Sequence, residues 1–266
     1  MIQLKVKILY NRREKEDYYH LSLLAPKVAR EALPGQFVNI WLGREDGAFL
    51  RRPFSIHRAK EGQLHILYKV VGRGTELLSQ RKAGETLDII GPLGHGFDYQ
   101  LSATNYQLPI LVGGGIGVAP LTFLAERLAC CLRPAARIKP LVLIGAKNKK
   151  QILCAQEFRA LGCQVKTATD DGSSGFKGRV TDLFSYLLST FLNYKLSTIY
   201  ACGPRPMLKE LASVCGKYNI PAQISLEEHM ACGINACLGC VVETKNGYSR
   251  VCKEGPVFAA DDIIWR

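Results

Sequence analysis

The sequence predicts a multidomain chain: an antiparallel β-barrel, then an α/β domain with a parallel sheet, then a small cysteine-rich domain. Three observations predict this order. Short segments of alternating hydrophobicity fill residues 1–102, strands alternate with helices in residues 103–224, and four closely spaced cysteines lie within residues 225–266. A chain of 266 residues is long enough for two modest domains and an appendage.

The first domain is predicted to consist almost entirely of strands. Turn signals such as Pro34-Gly35 and Gly91-Pro92 separate its alternating segments. The predicted strands cover residues 3–9, 20–24, 36–41, 63–70 and 86–90. Many short strands with little room for helices indicate a closed antiparallel barrel. Thr75 is predicted to be the N-cap of one short helix.

Two stretches of this domain carry side chains suited to binding a phosphorylated ring compound. Residues 52–55 read Arg-Pro-Phe-Ser, which supplies a cation, an aromatic ring and a hydroxyl in succession. Residues 72–75 read Gly-Arg-Gly-Thr, in which glycines let backbone amides approach phosphate oxygens and a threonine hydroxyl donates a further bond. Each stretch alone is weak support, because Gly-x-Gly-Thr is more often a plain loop.

The second domain is predicted to be a parallel sheet covered by helices on both faces. An apolar strand at residues 110–112 leads into a glycine-rich turn and then into a helix over residues 118–132. Further strands are predicted at residues 141–144, 164–168 and 198–201, and further helices at residues 151–161, 181–191 and 206–217.

The glycine-rich turn, Gly-Gly-Gly-Ile-Gly at residues 113–117, puts bare amides and a helix N-terminus where a pyrophosphate would sit. A tight strand-to-helix turn that needs glycine for its backbone alone is the alternative. No acidic residue follows about twenty positions later, where a ribose-binding carboxylate is expected. Asp170 is the candidate replacement, and its alternative role is to cap a loop. Lysines at positions 147, 149 and 150 leave NADP open beside NAD.

The four cysteines of the last domain form the pattern Cys-x4-Cys-x2-Cys-x11-Cys, at Cys232, Cys237, Cys240 and Cys252. The first three spacings match those of plant-type [2Fe–2S] sites. Two short predicted strands joined by a turn at Asn246-Gly247 return the fourth cysteine beside the third. Four thiolates also suit tetrahedral zinc. Because zinc sites usually contain two Cys-x2-Cys pairs and only one is present, the spacing favours iron–sulfur, with zinc as the alternative.

Composition and charge bear on where the protein works and on whether it contacts a membrane or nucleic acid. The N-terminus alternates like a strand and lacks the apolar run of a signal peptide, so we expect a reducing cytoplasmic location despite ten cysteines. Apolar runs are too short to cross a bilayer, and we expect no membrane contact. The net charge of +12 is spread along the chain without interleaved aromatic residues, which argues against nucleic acid as a partner.

The motifs occur in an order that resembles the ferredoxin–NADP reductase superfamily. Arg-x-Phe-Ser and Gly-x-Gly-Thr lie on the barrel, and Gly-Gly-Gly-Ile-Gly-x-Ala-Pro-Leu and Cys-Gly-Pro-Arg-Pro-Met follow in the second domain. The resemblance implies FAD on the barrel and a nicotinamide nucleotide on the second domain. It also implies that Cys202 lies near the reactive face of the nicotinamide as a catalytic candidate; a buried core cysteine is the alternative.

The residues expected to bind these cofactors follow from the matched motifs. For FAD they are Arg52, Pro53, Phe54, Ser55, Leu67, Tyr68, Lys69, Gly74 and Thr75. For NAD as co-substrate the motifs supply Gly113, Gly114, Gly115, Gly117, Gly203 and Pro204, and Asp170 is added as the candidate ribose-binding carboxylate.

With its C-terminal Glu-x-Met-x-Cys-Gly-x3-Cys-x2-Cys segment, the chain is similar over its whole length to the electron transfer subunits of B-type dihydroorotate dehydrogenase. This resemblance implies FAD, a [2Fe–2S] cluster and a separate FMN-containing catalytic subunit, assembled as a heterotetramer with two copies of each. Electrons would pass from dihydroorotate through FMN, cluster and FAD to NAD+. The alternatives are another flavin and iron–sulfur NAD(P)H reductase subunit, of ferredoxin or oxygenase type, and a zinc-stabilised nucleotide-binding module.

Overall fold

The computed structural model describes residues 1–43, 49–99, 108–131, 139–190 and 196–265. The predicted boundary between residues 102 and 103 lies outside these ranges, as do the predicted helix ends at residues 132 and 191. Within the described ranges, no helix is long and apolar enough to cross a membrane.

Seven strands of the first domain form one antiparallel sheet, in agreement with the predicted all-β architecture. The strands are β1 (Ile2–Lys15), β2 (Tyr18–Leu24), β3 (Phe37–Trp41), β4 (Arg52–Ser55), β5 (Arg58–Lys60), β6 (Gln63–Lys69) and β7 (Thr86–Leu93). Their order is β4-β3-β7-β1-β2-β6-β5. Alternate residues of β7 are buried, among them Leu87 and Ile89, as expected for a sheet with one face on the core.

The barrel differs from the prediction at its seam, because within the described part of the sheet the end strands β4 and β5 are not paired with each other. They are consecutive in the chain, and only Ile56 and His57 separate them. The amide of Ile56 donates to the Gln36 carbonyl at 3.0 Å, and that of His57 donates to the His65 carbonyl at 2.9 Å. The segment of Ile56 and His57 therefore connects the two end strands, and its backbone hydrogen bonds stand in place of a continuous β-ladder between them.

Two helices accompany the barrel, α1 (Pro26–Glu31) and α2 (Arg73–Gln80). Thr75 was predicted as the N-cap of the second, which is wrong: the N-cap is Gly72 and Thr75 is the third helical residue. The Thr75 hydroxyl accepts hydrogen bonds from the amides of Val71 at 2.9 Å and Gly72 at 3.2 Å. A hydroxyl at the third helical position can bind amides that precede the helix, so Thr75 stabilises the start of the helix although it is not the N-cap.

The second sheet also has seven strands among the described residues. They are β8 (Leu108–Gly114), β9 (Leu141–Ala146), β10 (Gln164–Thr169), β11 (Phe176–Lys177), β12 (Leu196–Cys202), β13 (Ala222–Ser225) and β16 (Val257–Ala259). Their order is β11-β10-β9-β8-β12-β13-β16, and all neighbours are parallel except β13 and β16. Every residue of β8 after Leu108 is buried, because a central parallel strand is covered on both faces.

Among the described residues, four helices cover this sheet: α3 (Val118–Cys131), α4 (Ala155–Ala160), α5 (Val180–Thr190) and α6 (Arg205–Lys217). Helix α4 is shorter than the predicted residues 151–161, because the chain first makes a separate 3-10 turn at Lys149–Gln151. The side chain of Asn148 caps that turn by accepting the Lys150 amide at 3.0 Å.

The last domain is anchored to the second sheet rather than standing apart. Its strand β16 adds to the edge of that sheet, and Cys240, Cys252 and Ile263 belong to the same buried core as Ile110 of β8. Its other two strands, β14 (Val241–Thr244) and β15 (Gly247–Arg250), form a hairpin.

The hairpin prediction is correct in kind but shifted by one residue. Thr244 pairs with Gly247, so the two loop residues are Lys245 and Asn246. Gly247 has a φ of +102°, a conformation that glycine adopts without a steric penalty. The Val251 amide then donates to the Cys240 carbonyl at 2.9 Å, which brings the fourth cysteine back beside the third, as predicted.

Candidate functional site

A cavity of about 310 Å³ lies between the barrel and the second domain. It gathers the predicted flavin-segment residues from β4, β6 and α2. Those that line it are Pro53, Phe54, Ser55, Leu67, Tyr68, Lys69 and Thr75. Arg52 and Gly74 lie next to each other outside the lining. A Cβ atom on Gly74 would come within 2.9 Å of Arg52 Nε, so the glycine leaves room for the guanidinium group.

Aromatic rings form one wall of this cavity. Tyr68 is buried, its ring lies edge-on to Phe54 with centroids 5.7 Å apart, and it stacks on Tyr19 at 5.6 Å. Its hydroxyl donates to Asn11 Oδ1 at 3.1 Å. Burial raises the pKa of Tyr68 well above its ordinary value, so the phenol stays neutral. A neutral aromatic wall suits a flat, uncharged ring system.

A second cavity of about 590 Å³ lies at the carboxyl ends of the parallel strands. Six of the predicted nucleotide residues line it: Gly114, Gly115, Gly117, Asp170, Gly203 and Pro204. In open α/β sheets this edge is where ligands bind.

The glycines of the turn have separate physical roles. Gly113 does not line the cavity; a Cβ atom there would come within 2.5 Å of Val118 Cγ1, so this glycine permits strand and helix to pack closely. Gly115 has a φ of +56° and open space around it. A Cβ atom on Gly117 would lie 2.4 Å from the Cys202 carbonyl oxygen. The turn therefore needs Gly113 for strand–helix packing, Gly115 for a positive φ, and Gly117 for its close approach to the Cys202 carbonyl.

Charged side chains of both signs line the nucleotide cavity. Lys147 and Arg179 contribute cations, whereas the predicted lysines 149 and 150 are not part of the lining. Arg179 pairs with Asp182 at 3.1 Å and with Glu210 at 3.0 Å. Arg179 could not be predicted from a motif, because it belongs to the loop after β11 and reaches the cavity only through the fold.

Cys202 is buried at the end of β12 and lines neither cavity, although the next two residues line the larger one. Burial raises the pKa of its thiol far above the ordinary value, with the Glu227 carboxylate as a smaller cause. The arrangement matches the core-cysteine alternative, and contact with a nicotinamide stays a prediction.

Glu227 was not among the predicted site residues, yet it lines both cavities, together with Lys69, Ile116 and Leu226. The two cavities therefore share a wall. Glu227 is exposed to these cavities, and desolvation by the surrounding protein raises the pKa of its carboxyl. A carboxyl group at this wall is placed to exchange protons with bound cofactors.

The cysteine loop directs backbone amides at its sulfurs. Cys232 Sγ accepts from the amides of Ile234 at 3.5 Å and Cys237 at 3.3 Å, and Cys237 Sγ accepts from Gly239 at 3.5 Å. Burial alone would raise the pKa of the Cys232 thiol, but these amides lower it to about 7. Amides that favour thiolates fit the ligand set of an iron–sulfur cluster.

The other two cysteines lie deeper. Cys240 and Cys252 are buried, and the Cys252 amide donates to Cys240 Sγ at 3.5 Å. Burial, with the neighbouring Cys240 thiol, raises the pKa of Cys252 to about 11. The four thiols thus combine a buried pair with a half-exposed pair, so the loop holds one side of the site in the core and the other near the surface.

Asn39 links the flavin segment to the cysteine loop, a link that the sequence did not reveal. It is 2% exposed on β3, opposite Pro53 of β4, and its side-chain amide donates to the Cys232 carbonyl at 3.2 Å. Gly233, with a φ of +61°, packs directly against this amide. A polar residue inside the otherwise apolar strand Phe-Val-Asn-Ile-Trp was the signal that could have identified it.

Comparisons with known proteins agree with this division of the chain. A family described as the iron–sulfur cluster binding domain of dihydroorotate dehydrogenase B matches residues 227–264. A family described as the oxidoreductase NAD-binding domain matches residues 111–213.

Curated relatives match almost the whole chain. The dihydroorotate dehydrogenase B (NAD+) electron transfer subunit of Desulforamulus reducens is 40% identical over 253 residues, which are 93% of this chain and 92% of the relative. The subunit of the same name from Caldanaerobacter subterraneus subsp. tengcongensis is 37% identical over 267 residues, with 99% of each chain covered.

Solved structures extend the similarity to the fold. An NADH-dependent reduced ferredoxin–NADP oxidoreductase matches with a TM-score of 0.84 and 31% identity over 98% of this chain and 90% of its own. A ferredoxin–NADP+ reductase from Neisseria gonorrhoeae, solved with FAD and NADP, matches with a TM-score of 0.66 and 16% identity over 81% of this chain and 91% of its own.

Proposed function

This chain belongs to the family of electron transfer subunits of NAD+-dependent dihydroorotate dehydrogenase B, and from that membership we propose that it connects an FMN-containing catalytic subunit to NAD+. The observation that carries the proposal is the wall shared by the two cavities. FAD in one and NAD in the other would meet at Glu227 and Ile116, with the cysteine loop bonded to the barrel through Asn39.

A flavin exchanges electron pairs with a nicotinamide and single electrons with an iron–sulfur cluster, which suits it to a position between them. In this proposal the barrel residues from Arg52 to Thr75 hold FAD. The glycine turn, Asp170, Gly203 and Pro204 hold NAD, and Cys202, buried directly before Gly203, positions the nicotinamide through the backbone of Gly203 and Pro204. The four cysteines, Cys232, Cys237, Cys240 and Cys252, hold the [2Fe–2S] cluster.

The proposal keeps the three-domain division at residues 1–102, 103–224 and 225–266. It also keeps a heterotetramer of two copies of each subunit, working in the cytoplasm, where cysteines stay reduced. None of the nine cysteines whose state is described forms a disulfide.

A second candidate function is that of a ferredoxin-linked reductase subunit. It is favoured by the 31% identity to the NADH-dependent reduced ferredoxin–NADP oxidoreductase. The two functions share the path between nicotinamide, flavin and cluster and differ in the protein beyond the cluster.

Purification of the native complex separates these functions. We expect a partner containing FMN, and a complex that converts dihydroorotate to orotate. Dihydroorotate loses two electrons and two protons, NAD+ accepts a hydride, and one proton is released. A complex that reduces ferredoxin and leaves dihydroorotate unchanged would establish the second candidate instead.

Glu227→Gln is expected to slow the reduction of FAD by NADH by about 100-fold, since it removes an ionisable group at the shared wall. Stopped-flow measurement of flavin bleaching gives the rate. The rate of FAD reduction in the unaltered chain should change as the pH passes through the raised pKa of the Glu227 carboxyl. The rate in Glu227→Gln should show no such change.

Glu228→Gln is the control, because Glu228 lines only the flavin cavity and pairs with Arg205. Equal slowing in both variants would refute the role.

An exposed apolar surface lies beside the cysteine loop and is proposed to contact the catalytic subunit. Leu238, between two of the cysteines, is 72% exposed, and Tyr248 of β15 is 74% exposed. Both line a shallow groove with Val241, Arg250 and Glu254. Exposed aromatic and aliphatic side chains next to an arginine are typical of interface anchors.

Leu238→Asp is expected to weaken the complex roughly 30-fold, the effect of about 2 kcal/mol at an interface anchor. Reduction of FAD by NADH should be unchanged. Leu24→Asp, at an exposed leucine of β2, is the matched control. Sedimentation analysis with the catalytic subunit measures the affinity, and unchanged affinity in Leu238→Asp would refute this contact surface.

A further inference from the structure

A group of metal-ligand side chains lies between the barrel and the second domain, apart from the three sites above. His57 comes from the short segment between β4 and β5, and Cys154 and Glu157 come from the start of α4. One ligand atom of each lies within 4.8 Å of the other two. None of the three residues lines the flavin or nucleotide cavity.

The ring of His57 faces two acceptors at once. Its Nδ1 lies 2.9 Å from the Ala119 carbonyl oxygen, and its Nε2 lies 3.1 Å from Glu157 Oε2. A neutral imidazole carries one proton and can donate to only one of them. When Nδ1 donates to Ala119, the lone pair of Nε2 faces the Glu157 carboxylate, and a metal ion between the two atoms would bind both. The His57 side chain is 1% exposed, and the Arg58 guanidinium lies 3.3 Å from the same carboxylate.

This is the hydrogen-bonding arrangement that metal-binding histidines use. Such a histidine usually donates its other ring N–H to a carbonyl or carboxylate, which fixes the tautomer and aims the free nitrogen at the metal. The Ala119 carbonyl supplies that partner for His57. The free nitrogen then points to the carboxylate of Glu157, the second ligand of the group.

The backbone at Cys154 supports a special role for its side chain. Its φ of +57° lies in the left-handed region, which costs a non-glycine residue about 1–2 kcal/mol. Residues held in such conformations cluster at functional sites. Cys154 and Glu157 are both partly exposed, so an ion from solvent has a route to the group.

We propose that His57 Nε2, Cys154 Sγ and the Glu157 carboxylate form a binding site for a divalent transition metal, with Zn²⁺ as the best match. Mixed nitrogen, sulfur and oxygen ligands suit Zn²⁺, with a water in the fourth position. Tetrahedral bonds of about 2.0–2.3 Å place ligand atoms roughly 3.3–3.6 Å apart, so the side chains need to close by about 1 Å. Binding exchanges the thiol proton for a metal–sulfur bond and releases that proton to solvent.

The consequence is a clamp between domains, because the metal would join the barrel at His57 to the second domain at α4. The proposal does not depend on the identity of the redox partner.

Zinc binding to the holoprotein, with FAD and the iron cluster loaded, tests the site. We expect one equivalent of Zn²⁺ to remain after desalting, with iron fully retained. X-ray absorption at the zinc edge should show one sulfur at about 2.3 Å and nitrogen or oxygen ligands at about 2.0–2.1 Å. Four sulfur ligands would mean that zinc had entered the cluster cysteines, and no retained zinc would mean that no site exists; either result overturns the proposal.

Cys154→Ser should weaken zinc binding at least tenfold. Cys163→Ser, at a buried cysteine just after α4, is the matched control and should bind as the unaltered chain does. Equal affinity in both variants contradicts the proposal. If Cys154→Ser does not fold, Glu157→Gln is measured in its place, with the absorption spectrum of the unaltered chain deciding the ligand set.

Discussion

Cys237→Ser is expected to lower the oxidation of dihydroorotate by NAD+ in the complex by at least about 100-fold, while NADH still reduces FAD at close to the normal rate. Cys237 is a half-exposed member of the cysteine loop, and its amide donates to Cys232 Sγ at 3.3 Å. A serine hydroxyl is a poor ligand for iron, so the cluster should be lost or crippled. The flavin cavity contains none of the four cysteines and should be unaffected.

Iron content, the electron paramagnetic resonance signal of the reduced cluster and NADH–dye activity measure the parts separately. Cys215→Ser changes a buried cysteine of α6 and should leave all three readings normal. If Cys237→Ser abolished flavin reduction by NADH while FAD stayed bound, a cluster beyond the flavin would be contradicted.

Arg52→Ala is expected to weaken FAD binding by roughly 10- to 150-fold, since a charge-assisted hydrogen bond to phosphate contributes about 1.5–3 kcal/mol. Arg52 lies beside Gly74, next to the cavity that Thr75 lines. Purified variant protein should therefore lose FAD on dilution, and with it every activity that starts from NADH. The bound FAD per chain is measured from its absorbance.

The neighbouring arginine provides the control. Arg51 bonds to Asp88 at 2.6 Å and lies over the ring of Trp41, so Arg51→Ala should lower stability but not flavin affinity. Unchanged flavin content in Arg52→Ala, or equal loss in both variants, would refute the role of Arg52.

The parts of the fold that follow from local pattern could be predicted from the sequence. Hydrophobicity alternates along β7, which predicts a sheet with one buried face, and β8 is continuously apolar, which predicts a sheet buried on both faces. The burial of the two strands confirmed both predictions. The small errors were local as well. Thr75 lies two residues inside its helix, and the C-terminal hairpin is shifted by one residue, because several residues compete for each cap and turn.

The rest could not be predicted, because it depends on contacts between distant segments. The unpaired seam between β4 and β5 is a property of the whole sheet. Glu227 and Asn39 became candidates only when the fold brought them to the shared wall and to the Cys232 carbonyl. Cys202 is a different case: its motif predicted a position near the nicotinamide, its side chain is buried at the end of β12, and its contact with a nicotinamide stays a prediction.

The most direct test of the central claim, that electrons pass between the catalytic subunit and FAD through the cysteine loop, compares two complexes under anaerobic conditions. Dihydroorotate and NAD+ are mixed with the unaltered complex and with the Cys237→Ser complex, both with full FAD and FMN, and NADH formation is followed. The prediction is rapid NADH formation in the first and almost none in the second. NADH formation at equal rates in the two complexes would contradict the claim.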